Sequence, residues 1–194
     1  MRIAVSGSHS TGKSTLAAAF VAQCPQYVYE PEAYEMLADD ITLTASEGPD
    51  VEGLAALLDY TISVLANHRA KPCVLFERSP VDYLAYAAAT RSMVSTERAD
   101  FLQGHLPAVR DALLDLELIV LLPVSDQGPI AARPGEDERF RSRVDDRLRR
   151  ALIDDEYDLF DGPEAPQVVE FSPLPDQQLA ELTRWTEAGG MQHG

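Results

Sequence analysis

Residues 2–23 constrain this chain more than any other stretch. Arg2-Ile3-Ala4-Val5-Ser6 is a short run bounded by Gly7, too brief for a helix that could bury itself, and it predicts a central strand. From Ser14 the chain reads Ser-Thr-Leu-Ala-Ala-Ala-Phe-Val-Ala-Gln, rich in strong helix formers, and it stops at Cys24-Pro25 because proline disfavours helix in the residue before it. Between them lies Gly7-Ser8-His9-Ser10-Thr11-Gly12-Lys13-Ser14, which fits G-x-x-x-x-G-K-[ST] in the strand, loop, helix context that the motif requires. Backbone N–H groups of such a loop and the positive end of the following helix wrap phosphates, the lysine reaches the transferring group and the hydroxyl ligates magnesium. Gly7, Ser8, His9, Ser10, Thr11, Gly12, Lys13, Ser14 and Thr15 are therefore candidate nucleotide-binding residues, with Lys13 also catalytic and Ser14 also a metal ligand. His9 occupies an unspecified position, where the backbone rather than the side chain makes the contact.

Four further short apolar runs, at residues 27–30, 73–76, 118–122 and 167–171, alternate with helical patterns. Leu54, Leu57, Leu58, Thr61, Ile62 and Leu65 recur at helical spacing through roughly 51–70, and Val144, Leu148, Ala151 and Leu152 share one face of 136–155. Helices are also expected over 31–39, from Pro80 to about Thr90, and from Ala99 to Leu113, where Pro107 should kink or divide the last of these. A polar loop is expected up to Asp50, and Asp176 can cap a final helix. The alternation predicts an α/β fold, a three-layer α/β/α sandwich on a five-stranded parallel sheet, with ligands gathering beyond the carboxyl ends of the strands. A chain of 194 residues reads as one domain over 1–187 with a lid at about 124–150, and 188–194 as a disordered tail.

Two acidic clusters fall at strand ends, where they face the phosphate loop. Glu30-Pro31-Glu32 follows the second strand, and a carboxylate there can take the proton of an attacking hydroxyl; acids at a helix start are the alternative. Glu77-Arg78-Ser79-Pro80-Val81-Asp82 follows the third, where Glu77 can hold magnesium directly or through water. Arg78 offers bidentate donors to a phosphate or a carboxylate, or else forms a structural pair with Glu77.

Composition narrows the partners. Sixteen basic against 32 acidic side chains leave a net charge of −16, which repels nucleic acid and anionic lipid. Seven of the 14 arginines nevertheless fall between Arg133 and Arg150, interleaved with acids that could pair with them along a solvated helix. Cys24 and Cys73 form neither a disulfide framework nor a zinc pattern, and no segment approaches the length of a membrane span, so a reduced, cytoplasmic setting is expected.

On these residues the chain resembles the P-loop nucleoside and nucleotide kinases, especially the deoxynucleoside kinase and nicotinamide riboside kinase relatives filed as AAA-type ATPases. The likeness spans Ile3 to about Phe171 and rests on Gly7–Thr15, Glu30-Pro31 and Glu77-Arg78-Ser79 in that order. It implies a P-loop NTPase fold with a helical lid, in which ATP, with magnesium, phosphorylates a nucleoside-like acceptor. It further implies Glu30 as base, Arg78 positioning the acceptor hydroxyl, Glu77 on the metal, and Glu30, Tyr34, Asp59 and Arg78 as the acceptor set. The lid pattern of the family matches Arg133, Glu136-Asp137-Glu138, Phe140-Arg141 and Val144-Asp145, making Arg133 and Arg141 nucleotide contacts and Arg141 catalytic, with Arg139 and Arg143 as lesser candidates. Two departures stand out: Asp59 replaces the usual base-reading glutamine, and no arginine precedes Glu30, so a monophosphate acceptor would rely on Arg78 or Arg91. A nucleoside monophosphate kinase and an NTP-dependent regulatory ATPase are the alternatives, and a homodimer is left open.

Overall fold

The computed structural model describes residues 1–33, 43–44, 48–124, 137–172 and 174–190. In chain order these form β1 (Arg2–Ser6), α1 (Lys13–Gln23), β2 (Val28–Glu30), β3 (Leu43–Thr44), β4 (Gly48–Pro49), α2 (Val51–Asn67) and β5 (Val74–Glu77). There follow α3 (Pro80–Ala89), α4 (Ser95–Leu113), β6 (Leu118–Leu121), α5 (Glu138–Leu152), β7 (Gln167–Glu170) and α6 (Pro175–Gly190). Five strands make one parallel sheet in the order β2-β5-β1-β6-β7. The sheet is the one expected from the sequence. The two-residue antiparallel ladder of β3 and β4 lies in what read as a polar loop.

Strand alternation divides the core into two layers. Ile3, Val5, Leu75, Leu118 and Val120 point to one face, where Leu16, Ala17 and Phe20 of α1 and Leu182 of α6 cover them. Ala4, Val74, Phe76, Ile119 and Leu121 point to the other, beneath α2, α3, α4 and α5. The central strands are thus apolar on both sides, as buried parallel strands must be.

The consequence for function lies at β1 and β5. These strands are neighbours, yet the helix after β1 lies on one face and the helix after β5 on the other. The chain therefore diverges above and below the sheet at their carboxyl ends, which leaves a crevice there. The phosphate loop and the Glu77-Arg78 segment both open into it.

Pro107 does not divide α4, which runs unbroken from Ser95 to Leu113. Gln103, whose carbonyl loses its helical partner, and Pro107 itself are both exposed, so water can take the freed acceptor. The final helix runs to Gly190, beyond the point where composition suggested a tail. Most of the helix expected over 31–39, and residues 125–136 of the lid, lie outside the described residues.

Candidate active site

Gly7 is required by close approach: a Cβ there would lie 2.6 Å from Thr11 Oγ1 and 2.8 Å from the backbone oxygen of Leu122. Gly12 stands before α1 at φ 94°, a left-handed conformation suited to glycine. No side chain caps α1 and its first turn holds no acid, so the positive end of the helix remains available to an anion. Ser8 is buried with its Oγ unpartnered, and Thr11 Oγ1 donates to the Ser8 carbonyl at 3.1 Å.

Lys13 is only 5% exposed, and its Nζ donates to the Ser8 carbonyl at 2.8 Å. Burial, and after it Arg78, brings its pKa from 10.5 down to about 8, against the opposing pull of Glu32, Asp82 and Glu77. Below pH 8 the folded protein carries a buried ammonium at a cost; between pH 8 and 10.5 it sheds the proton before the unfolded chain does, so stability rises with pH. Lys13→Met is expected to be more stable than wild type at pH 7 by ~1–3 kcal/mol. Urea unfolding across this range should show the difference closing toward pH 10.5.

The end of β5 supplies the opposite wall. Arg78 is 1% exposed and left-handed at φ 76°, a conformation costing a non-glycine residue about 1–3 kcal/mol and held by its bonds. Its Nε donates to Glu32, and its Nη1 donates to the Gly7 carbonyl at 2.9 Å and Asp82 Oδ1 at 3.2 Å. Its Nη2 is buried without a partner, and its Cζ stands 5.1 Å from the Tyr86 ring centroid. Burial alone would raise the Glu32 carboxyl, but Arg78 and Lys13 outweigh it and hold it below the ordinary carboxylate range.

Asp82 binds the two loops together. It is fully buried, and its carboxylate accepts from the backbone of Gly7 at 3.2 Å and of Ser79 at 2.9 Å, and from Ser79 Oγ at 3.0 Å. Sequence reasoning assigned it no role, although Ser79-Pro80-Val81-Asp82 carries the S-x-x-D signature of a helix start. Glu32, left open beside Glu30 as the base, is the second residue the site brings forward.

Glu77 meets the phosphate loop through Ser14, whose Oγ donates to Oε1 at 2.8 Å, and its Oε2 accepts from the Tyr29 hydroxyl. Among the described residues, no group of three or more His, Cys, Asp or Glu side chains is placed to hold a metal ion. A hydroxyl beside a carboxylate is nonetheless the oxygen donor set that magnesium takes when phosphates and waters fill its remaining positions, so Ser14 and Glu77 fit that ion.

A cleft runs from this wall toward α2, lined by Glu30, Ala33, Tyr60, Thr61, Val64 and Phe76 together with Glu77 and Arg78. Glu30 turns to its far side, where Oε1 lies 2.6 Å from His68 Nε2 while His68 Nδ1 lies 2.9 Å from the Val64 carbonyl. Both ring nitrogens thus face acceptors. Asp59 is exposed and does not line the cleft, which takes the next two residues of α2, Tyr60 and Thr61, instead. Tyr34 lies outside the described residues.

A family model described as an AAA domain matches residues 2–165. The chain belongs to that family. No curated protein matches it in sequence. Among solved structures, the AAA-domain chain is similar to deoxyadenosine kinase from M. mycoides with the products dCMP and a flexible dCDP bound, at 14% identity and TM-score 0.69 over 97% of this chain and 100% of the other. It is also similar to thymidylate kinase from Candida albicans, at 12% identity and TM-score 0.63 over 97% and 92% of the two chains. The NadR protein in complex with NR aligns at 20% identity and TM-score 0.60, covering 88% of this chain and 45% of that one. The AAA-domain chain therefore has a P-loop nucleoside kinase-like fold.

Its arginine-rich helix α5 divides by residue. Arg141 Nη2 donates to the Ser10 carbonyl at 3.1 Å, and its Nε is buried without a partner, so this arginine stands over the phosphate loop. Arg143 donates to the Ala89 carbonyl at 3.2 Å and lies over the Phe140 ring, which anchors α5 to α3. Arg147 pairs with Glu156 and Arg149 with Glu170, acids beyond the helix rather than the interleaved ones expected at helical spacing, and Arg139 is exposed. Asp145 accepts from the Val124 backbone at 2.9 Å and so ties the helix to the end of β6. The His9 ring packs edge-on to Tyr86 at 5.3 Å, and Tyr86 packs on Phe140 at 6.0 Å. Thr15 is exposed on α1, and Arg133 lies outside the described residues. Among the described residues, no helix is long and apolar enough to cross a membrane.

Proposed function

We propose that this chain transfers the terminal phosphoryl group of ATP to a hydroxyl of a nucleoside-like small molecule. The Glu32–Arg78 pair carries this reading, because it sets a carboxylate and a guanidinium near Lys13, with Arg78 itself in the wall of the cleft. An ATPase that only switches between states needs no such carboxylate–guanidinium pair beside its phosphate loop.

In this mechanism residues 7–15 cradle the phosphates and Lys13 stands by the group in transfer. The acceptor lies in the cleft against Tyr60, Thr61, Val64 and Phe76. Its hydroxyl oxygen meets the unpartnered Nη2 of Arg78, and Glu32 takes the proton as the bond from oxygen to the γ-phosphorus forms and that to ADP breaks. Arg141 brings positive charge from α5 onto the loop. Ser14 and Glu77 would supply oxygen donors to magnesium, which would neutralise phosphate charge when bound. The Glu-Pro signature named Glu30 as base; the contacts favour Glu32, because Glu30 is engaged by His68 on the far side of the cleft.

His68 then holds the Glu30-Pro31-Glu32 turn in register. His68→Gln is expected to raise the acceptor KM by roughly 5–20-fold with ATP affinity unchanged, which initial-rate kinetics and nucleotide titration can separate; a 1 Å displacement of a positioned group can cost as much as 10²-fold.

A panel of nucleosides and nucleoside monophosphates with ATP and magnesium tests the reading. Acceptor-stimulated ADP release with a phosphorylated product is the expected result. Tight nucleotide binding with no acceptor response would favour a regulatory ATPase. Turnover confined to monophosphates would place an acceptor phosphate, rather than a hydroxyl, on Arg78.

A further inference from the structure

We propose that the Tyr29 hydroxyl orients the Glu77 carboxylate for a divalent cation, making Tyr29 a positioning residue of the site. The inference rests on the phosphoryl-transfer reading, which puts that cation beside Ser14 and Glu77. Glu77 is 7% exposed, and its two oxygens are divided between two hydroxyls: Ser14 donates to Oε1 at 2.8 Å and Tyr29 donates to Oε2. The two donors come from different elements, Ser14 from the first turn of α1 and Tyr29 from β2.

The register shows how the tyrosine reaches its target. Tyr29 and Leu75 are Cα partners across β2 and β5, and Glu77 lies two residues beyond Leu75. Side chains two apart on a strand share a face, so Tyr29, Leu75 and Glu77 line the same side of the sheet, the side that α1 covers. The phenol spans the two-residue offset and places its O–H at the carboxylate. Packing alone would be served equally by phenylalanine; the hydroxyl adds the directed hydrogen bond to Glu77. That bond fixes the rotation of the carboxylate plane and leaves the other oxygen turned toward Ser14 and the phosphates. Partners of this kind, one step behind a metal ligand, change metal affinity by roughly 10–100-fold when removed.

Tyr29→Phe removes only that oxygen. ADP binding by calorimetry, titrated with magnesium in wild type, Tyr29→Phe and Glu77→Gln, is the test, with metal-free thermal melting as a control on the fold. The expected result is a half-saturating magnesium concentration raised about 10-fold or more in Tyr29→Phe, with magnesium-free ADP affinity and metal-free melting unchanged. If wild type responds to magnesium and Tyr29→Phe follows the same curve, the assignment of Tyr29 is overturned and the phosphoryl-transfer reading survives. If wild type binds ADP with no response to magnesium, both are overturned.

Discussion

Glu32→Gln is expected to lower kcat by about 10²–10⁴-fold, the usual range for loss of a general base, while ATP affinity stays within a factor of about two. Glutamine keeps an acceptor oxygen for Arg78 Nε, so the guanidinium keeps its place against Gly7 and Asp82 and the fold is spared. What disappears is the negative charge that Arg78 and Lys13 hold in place next to the phosphate loop. Single-turnover kinetics with saturating ATP would isolate the chemical step. Glu30→Gln is the necessary comparison, and its effect should be the smaller because that side chain is committed to His68. The opposite ranking would return the role of base to Glu30.

Arg78→Ala is expected to destabilise the protein by about 3–5 kcal/mol at pH 7, the cost of leaving buried charges without their partner. Glu32 and Asp82 would lose the guanidinium between them, and the Gly7 carbonyl would lose its Nη1 donor. A left-handed backbone would also remain at position 78, with no side-chain bonds to maintain it. The pH dependence follows from Glu32, whose carboxyl sits below its ordinary 4.5 in the folded state. The stability it contributes is present above that value and is lost as pH falls through the folded pKa. The difference between wild type and variant should therefore be full at pH 7 and shrink below pH 4.5 as Glu32 takes its proton. Urea unfolding at several pH values would show this, and a variant as stable as wild type would mean that Arg78 is not the central tie of the site.

The phosphate loop and the Glu77-Arg78 pair were legible in the sequence because their chemistry is contiguous. A strand, a turn that only glycine fits at position 7, and a helix start follow one another within a few residues. The choice between Glu30 and Glu32 was not legible, because β2 ends at Glu30 and the alternation of faces ends with it. What separates the two acids is His68, at the far end of α2, and Arg78, just past the end of the neighbouring strand. Such contacts leave no mark in local spacing. Asp59 is a different case, for the helical period could have set it aside: Leu54, Leu57, Leu58, Thr61 and Leu65 define the buried face of α2, and Asp59 falls off it. The arginines of α5 show the same limit. Their interleaving with acids suggests pairs along the helix, yet Arg147 and Arg149 reach Glu156 and Glu170 beyond it, and only the packing of α5 against α3 carries Arg141 onto Ser10.

The phosphoryl group leaving ATP is expected to arrive on an organic hydroxyl rather than on water. Phosphorus NMR of the protein with ATP, magnesium and a mixture of nucleosides measures both fates in one sample. One phosphomonoester signal gained for each ADP formed is the expected result, abolished in Lys13→Ala. ADP accompanied only by inorganic phosphate, with every nucleoside recovered unchanged, would contradict it.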